Sequence, residues 1–246
     1  MKKYFVLLIT FVTAVAAAQD FRGIAVYETK VVFKFQRDNK FEAEQDELIR
    51  KAMEKKFTLK FNGFQSLYEE EEQLAQPSSG GMIFTVNSGT LDGPFFKDIK
   101  EKQYSIATDI YDKDFLIVDS LKQFSWEMTG ETKKIGDYTC YRATCVRKAK
   151  PGHEEKAINL TGGAPKEGEI ISVWYTPDIP VSHGPGEYWG LPGLILEVND
   201  GPSTLLCTKL ILNPDKKFEV RAPKRGQKVT RAEYDAIKLK KDNERN

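Results

Sequence analysis

The sequence predicts a mainly β protein with minor helices (α+β), built on one large curved antiparallel sheet. Two observations indicate this class. Apolar and polar residues alternate along most of the chain, as in strands with one buried face. Turn-forming pairs such as Asn62-Gly63 and Gly136-Asp137 separate the alternating runs. No internal repeat marks a second domain, so residues 19–246 are expected to form a single domain.

The N-terminus has the pattern of a signal peptide over residues 1–18. Lys2-Lys3 forms a basic start, residues 5–15 are apolar, and three alanines at 16–18 form a small-residue cleavage site. The apolar stretch is shorter than the roughly 20 residues that span a bilayer. We therefore expect an exported protein of the periplasm or cell envelope, soluble after cleavage before Gln19.

The first half of the chain predicts strands around one inserted helix. A strand is expected over 24–35 and a helix over 39–56, where Asn39 and Glu42 form a capping box. The clearest hairpin joins Phe57–Phe61 to Phe64–Tyr68 through Asn62-Gly63, a turn with positive φ at both central residues. Further strands are expected over 82–86, 103–109, 115–119, 124–132, 138–147, 169–176, 194–199 and 204–212.

Two other segments complete this outline. Residues 148–168 are polar and rich in Gly, Pro and charge, which favours a long exposed loop. Thr230 and Glu233 form a second capping box, which predicts a short terminal helix with Tyr234, Ile237 and Leu239 facing inward.

The charge of the chain argues against two classes of partner. The formal net charge is +1 and becomes −1 when Lys2 and Lys3 are removed with the signal peptide. A nearly neutral protein has no bulk attraction to nucleic acid or to anionic membranes. The mature chain also has no apolar run long enough for a transmembrane helix.

The chain has three cysteines, Cys140, Cys145 and Cys207. Cys140 and Cys145 are five residues apart in one predicted strand and should point to opposite faces, so a bridge between them is not expected. If a disulfide forms, it should include Cys207. The alternative is that all three are small buried hydrophobic residues.

A loop rich in Gly, Pro and aromatic residues follows the predicted strand that ends in Trp174-Tyr175-Thr176. Within it, Leu191-Pro192-Gly193-Leu194 favours a type II turn, because proline presets φ at the second position and glycine accepts a positive φ at the third. Two interpretations remain open. The turn is a tight corner that locks a core strand, or it holds a ligand-binding rim formed by Trp174, His183, Glu187, Tyr188 and Trp189.

The hexapeptide Gly190-Leu191-Pro192-Gly193-Leu194-Ile195 resembles the signature of the GLPGLI family, found in Bacteroidota envelope proteins. The resemblance extends to the Trp-Tyr-Thr strand, the Asp-Ile-Pro loop and residues 135–140. It implies a half-barrel like that of the periplasmic lipoprotein carriers, in which an antiparallel sheet surrounds an apolar cavity. It also implies an association with TonB-dependent outer-membrane transporters, and it assigns no catalytic residue.

Few residues suggest catalysis or metal binding. The two histidines, His153 and His183, have no recognisable nucleophile placed with them, and two histidines with three scattered cysteines do not make a zinc pattern. Asp178 with Glu187, or Glu187 with Glu197, could act as an acid/base pair. Asp119-Ser120-Leu121 resembles a short O-glycosylation motif of some Bacteroidota, and a strand-end turn explains it equally.

The sequence therefore favours a non-enzymatic envelope protein without a cofactor or metal. It would bind an apolar ligand, a peptide or an outer-membrane transport partner. The alternative function is a carboxylate-based envelope hydrolase centred on Asp178, Glu187 and His183.

Overall fold

The computed structural model of the protein describes residues 21–31, 55–71, 93–147, 168–201, 203–216 and 218–245. The described strands form a large open sheet of 12 strands, which confirms the mainly β class and is consistent with a curved sheet. The strands are β1 Gly23–Val31, β2 Lys56–Phe61, β3 Gln65–Glu70, β4 Phe95–Asp98, β5 Gln103–Ile110, β6 Lys113–Ser120, β7 Glu127–Ile135, β8 Tyr138–Val146, β9 Ile170–Thr176, β10 Leu194–Asp200, β11 Ser203–Leu212 and β12 Gln227–Val229.

The order of strands across the sheet is β12-β6-β5-β4-β3-β2-β1-β11-β10-β9-β8-β7. Neighbouring strands are antiparallel except β12, which runs parallel to β6. β6 and β7 are ten positions apart in this order, about 48 Å along the sheet, whereas the connection between them, residues 121–126, reaches about 25 Å at most. The sheet must therefore curve, and the connection crosses between its two ends. This crossing places the connection against the loop between β9 and β10.

The main core follows from the alternation of residues along the strands. Cross-strand pairing places six side chains in one row from β1 to β6, and each is at most 5% exposed: Ala25, Leu59, Tyr68, Phe95, Ile106 and Ile117. A second buried cluster covers β8, β9 and β10 and includes Val173, Ile195 and Val198. Burial of these apolar faces stabilises the sheet at about 25 cal/mol per Å².

Most of the predicted strands that lie in the described residues are confirmed, although β7 begins and ends three residues later than expected. Two short strands, β4 and β12, were not predicted. The hairpin is correct, but its turn is not. Neither Asn62 nor Gly63 has a positive φ; Gly63 and Phe64 are the central residues, and Asn62 Oδ1 accepts hydrogen bonds from the N–H groups of Phe64 and Gln65 at 3.0 and 2.8 Å.

The terminal helix is present as α1, Arg231–Arg245, and its capping box is confirmed. The backbone N–H of Thr230 donates to the Glu233 carboxylate at 2.7 Å, and the N–H of Glu233 donates to Thr230 Oγ1 at 3.3 Å. Tyr234 is buried and Ile237 packs against the core as expected. The inward position of Leu239 was wrong, because its side chain is 63% exposed.

Several predictions lie outside the described residues. They are the signal peptide at 1–18, the helix at 39–56 except its last two residues, the strand at 82–86 and nearly all of the loop at 148–168. None of the helices in the described part of the chain is long and apolar enough to cross a membrane.

The three thiols are free in the structure. Cys140 belongs to the core cluster built mainly on β1–β6, whereas Cys145 belongs to the cluster over β8–β10, so the two side chains are separated as expected. Burial raises the pKa of Cys140 to about 11 and that of Cys207 to about 12. None of these buried thiols is activated as a nucleophile.

Candidate functional site

The loop between β9 and β10, residues 177–193, is held from two sides. On the sheet side, Lys97 Nζ on β4 donates to the carbonyl oxygens of Gly184 at 2.7 Å and Tyr188 at 2.8 Å. On the other side lies the connection 121–126, whose contacts are made by tryptophan side chains. The loop therefore occupies space against the sheet that the lipoprotein-carrier resemblance assigned to a cavity.

Two indole groups join this loop to the connection 121–126. Trp189 Nε1 donates to the carbonyl oxygen of Lys122 at 2.7 Å, and Trp126 Nε1 donates to the carbonyl oxygen of Trp189 at 2.8 Å. Phe124 stacks on Trp126 with 4.9 Å between ring centroids. The reciprocal hydrogen bonds fix the position of Trp189 in the folded protein.

The loop is also bonded to itself and to β10. His183 and Trp189 form an isolated antiparallel bridge. The N–H of Ile195 donates to the His183 carbonyl at 2.9 Å, and Ser182 Oγ donates to the Leu191 carbonyl at 2.9 Å. These bonds satisfy backbone groups that a buried loop would otherwise leave unpaired.

A ligand-binding rim that includes His183 would need this side chain to be exposed, but it is buried. The side chain is 0% exposed, and its Nε2 lies 3.0 Å from the carbonyl oxygen of Asn62. Burial, and then the nearby Lys97 ammonium, lowers the pKa of His183 to about 3. The imidazole is therefore neutral near pH 7 and closed off from solvent.

Tyr188 and Trp189 pack inward and are only 7% and 8% exposed. The Tyr188 hydroxyl donates to the carboxylate of Asp200, which also pairs with Arg147. This arrangement matches the interpretation of the loop as a corner that locks the core. Their assignment as ligand contacts stays a prediction that the structure does not test.

The remaining predicted site residues make separate contacts. Trp174 lies under Lys133, whose Nζ is 4.3 Å from the ring centroid, and it alternates with Tyr175 along β9. Glu187 is partly exposed and forms an ion pair with Lys122 at 3.0 Å. Asp178 is exposed.

Gly193 is essential for a different reason from the one predicted. It does not have a positive φ, so the type II turn was wrong; the glycine of this motif with a positive φ is Gly190, at 96°. A Cβ on Gly193 would lie 2.2 Å from the carbonyl oxygen of Thr176. Pro192 is exposed beside it. At Gly193, the backbone of the hexapeptide thus comes very close to the backbone at the end of β9.

Lys97 is the important residue that the sequence did not reveal. It lies on the short strand β4, is 0% exposed, and burial lowers its pKa to about 7, opposed by the charge of Glu187. The only signal in the sequence is a lysine directly after Phe95-Phe96. A four-residue strand is too short for its alternation to identify an inward-pointing lysine.

The carboxylate hydrolase, the alternative function, stays a prediction. Within the described segments, no hydrogen bond or ion pair joins Asp178, Glu187 and His183. Histidine, cysteine and carboxylate side chains in the same segments form no group of three that could hold a metal ion. The Asp119-Ser120-Leu121 segment is a strand end, where Asp119 Oδ1 accepts the N–H of the exposed Ser120 at 2.7 Å.

An exposed apolar surface lies on β7–β9 beside the loop. Met128 is 55% exposed and Tyr141 is 40% exposed. Tyr141 lies over Tyr175 with 6.1 Å between ring centroids, and the Tyr175 hydroxyl donates to Met128 Sδ at 3.5 Å. We call the exposed Met128 and Tyr141, which lie over the buried Tyr175, the β7–β9 aromatic surface. Sequence analysis missed it because these residues are not adjacent in the chain.

A cavity of about 240 Å³ lies elsewhere, between Arg22, the β2–β3 turn and residues 218–220. Binding pockets for small molecules usually have about 300–1,000 Å³ and mostly apolar walls. This cavity is smaller than that range, and its wall includes Arg22, Asn62, Gln65 and Glu219.

The protein is therefore a mainly β protein in which the loop 177–193 packs against one face of an open sheet. Residues 126–197, which contain the loop and the hexapeptide, match a family described as "Protein of unknown function (Porph_ging)". No curated protein matches the sequence.

Two crystal structures of PNGF-II have a similar fold. They are 16% and 15% identical in sequence, with TM-scores of 0.53 and 0.55. In each case the match covers 89% of this chain and 33% of the PNGF-II chain. The protein therefore spans about a third of the length of PNGF-II, and the likeness concerns the fold alone.

Proposed function

We propose that this protein is an exported, non-enzymatic binding or accessory protein of the bacterial cell envelope and a member of the GLPGLI family. Its partner is a protein or peptide that binds to the β7–β9 aromatic surface. The partner implied by the family resemblance is an outer-membrane transporter of the TonB-dependent type. The observation that carries this proposal is the exposure of Met128 and Tyr141 together, at 55% and 40%.

A protein or peptide partner fits this surface better than a small apolar ligand does. The loop 177–193 fills the space against the sheet, and Trp189 is fixed there by hydrogen bonds at both ends. Exposed Met and Tyr side chains that lie together are the kind of group enriched at protein interfaces.

The edge strand β7 makes pairing with a partner strand unfavourable. Its exposed residues include Glu127, Glu131 and Lys134, and its register with β8 is interrupted between Met128 and Thr132. Charges and bulges of this kind protect a sheet edge against adding another strand. The side-chain surface, rather than the backbone edge, is therefore the proposed contact.

Site-specific photo-crosslinking in the native envelope tests the proposal. A crosslinker at position 128 or 141 should give a discrete crosslinked species. A crosslinker at position 239 is the matched control, because Leu239 is also apolar and 63% exposed but lies on α1. Equal products from all three positions, or none from 128 and 141, would reject the surface. The intact mass of the exported protein should correspond to a chain beginning at Gln19.

A further inference from the structure

Four polar side chains are buried between the sheet and the loop 177–193: Ser66, Tyr68, Lys97 and His183. Ser66 and Lys97 lie directly opposite each other on β3 and β4, so their side chains share one face. Tyr68 follows Ser66 by two residues and points to the same face.

His183 reaches the same place from the loop. Its ring centroid is 6.2 Å from that of Phe61, which is the partner of Ser66 on β2. Lys97 Nζ donates to the carbonyl oxygens of Gly184 and Tyr188, and Gly184 directly follows His183 in the loop. Ser66 is thus the cross-strand neighbour of Lys97, and Lys97 lies close enough to His183 to lower its pKa. Tyr68 lies one cross-strand pair further along the same face, with its ring stacked on Phe57 at 5.0 Å between centroids.

Three of these side chains have a buried polar atom without a partner. They are Ser66 Oγ, Tyr68 OH and His183 Nδ1. Ser66 and His183 are 0% exposed and Tyr68 is 5% exposed, so bulk solvent does not satisfy them. Buried polar groups in native proteins are nearly always hydrogen-bonded, and clustered exceptions indicate a bound water or ion.

The tautomer of His183 decides which ligand fits. Its Nε2 faces the carbonyl oxygen of Asn62, which can only accept, so Nε2 carries the hydrogen. Nδ1 of the neutral ring is then an acceptor and needs a donor. The Lys97 ammonium can only donate, and its two assigned hydrogen bonds leave one N–H. The neutral amine, which is also populated because the pKa of Lys97 is about 7, has a lone pair there instead and can accept from water.

Water meets these requirements and an anion does not. A water molecule can donate to His183 Nδ1 and accept from Lys97 Nζ, while the two hydroxyl groups take either role. Chloride or a carboxylate only accepts and would face the lone pair of Nδ1. We propose that ordered water binds between Ser66, Tyr68, Lys97 and His183 and connects the loop to the sheet.

Two single-atom deletions test this proposal by the sign of their effect. Ser66→Ala and Tyr68→Phe each remove one oxygen and leave the fold in place. With bound water, each loses a hydrogen bond and the Tm should fall by about 2–4 °C. With a dry site, each removes an unpartnered hydroxyl and the Tm should stay equal or rise.

Ser105→Ala is the matched control. Ser105 Oγ is also buried without a partner, but its cross-strand neighbours are Phe96 and Val118. A buried water needs two to four polar partners, so Ser105→Ala should keep or raise the Tm.

A high-resolution crystal structure should show a water oxygen about 3 Å from His183 Nδ1. A dry site, or a Tm that rises for Ser66→Ala and Tyr68→Phe as for the control, would overturn the proposal. A Tm that increases when chloride replaces gluconate at constant ionic strength would assign an anion and overturn it as well.

Discussion

Replacing Gly193 by alanine should destabilise the protein strongly, because the backbone of β9 occupies the position of the new methyl group. A Cβ at this residue would lie 2.2 Å from the carbonyl oxygen and 2.5 Å from the carbonyl carbon of Thr176. Thr176 pairs with Leu194 in the sheet, so neither atom can rotate away as a side chain would. Relief requires β9 and β10 to separate.

The size of the effect follows from this rigidity. Overpacking in a well-packed interior costs about 1–3 kcal/mol, and a clash with paired backbone should lie at the upper end, about 3 kcal/mol. For a protein of this size that corresponds to a fall in Tm of about 6–12 °C. Differential scanning calorimetry of the mature chain measures both quantities.

Two other glycines separate a steric cause from a conformational one. A Cβ on Gly63 meets no atom within 4 Å, so Gly63→Ala should leave the protein as stable or stabilise it slightly. A Cβ on Gly190 would make only ordinary contact with Trp126, at 3.7 Å, but Gly190 has a φ of 96°, so Gly190→Ala should cost about 1–3 kcal/mol through backbone strain. If Gly193→Ala melts like Gly63→Ala, the close approach of β9 and β10 is not what this residue provides.

Three further predictions concern the loop. Tyr188 and Trp189 are both buried, so their joint replacement by alanine should unfold the protein, at a cost of about 3–5 kcal/mol for each ring; a native circular dichroism spectrum would contradict this. The pKa of His183 is about 3 in the folded protein, well below its usual value, so the unfolded state binds more protons. The free energy of unfolding should therefore fall as the pH drops from about 6.5 towards 3. This pH dependence should be weaker in His183→Gln, as urea titrations at several pH values can show. The pKa of Lys97 is about 7 instead of 10.5, so the free energy of unfolding should rise from pH 7 to 10.5, and Lys97→Met should lose that rise; equal slopes in both proteins would argue against a buried Lys97.

Long alternating strands were predictable because each carries enough residues to show its period. β5 and β8 have 8 and 9 residues, and both were placed correctly. β4 and β12 have 4 and 3 residues, which is too few for alternation to differ from chance. The failure to predict β4 mattered most, because this strand carries Lys97.

The direction of Tyr188 and Trp189 could not be predicted from the chain around them. Loop residues follow no period, so their burial depends on what they meet in three dimensions. The Tyr188 carbonyl meets Lys97, 91 residues earlier in the chain, and the Trp189 indole meets Lys122, 67 residues earlier. Gly193 was correctly singled out, but proline beside glycine indicated a turn, whereas the cause is a contact with Thr176.

The burial of the hexapeptide bears on where a partner binds. Leu191, Gly193, Leu194 and Ile195 are buried, so the motif that carries the family resemblance mostly faces the core. A partner would then be selected by side chains outside the motif. Pro192 is the exposed side chain of the hexapeptide and provides a direct comparison with Tyr141.

Replacing Tyr141 and Pro192 in separate variants shows whether the partner contacts the β7–β9 aromatic surface or the hexapeptide. Tyr141→Ser should reduce crosslinking from position 128 severalfold, because it removes the aromatic neighbour while Tyr175 beneath remains in the core. Pro192→Ser should leave that crosslinking unchanged. Both variants alter exposed side chains and should keep the wild-type Tm within about 2 °C. Loss of the crosslinked species in Pro192→Ser alone would transfer the contact to the hexapeptide and refute the proposed surface.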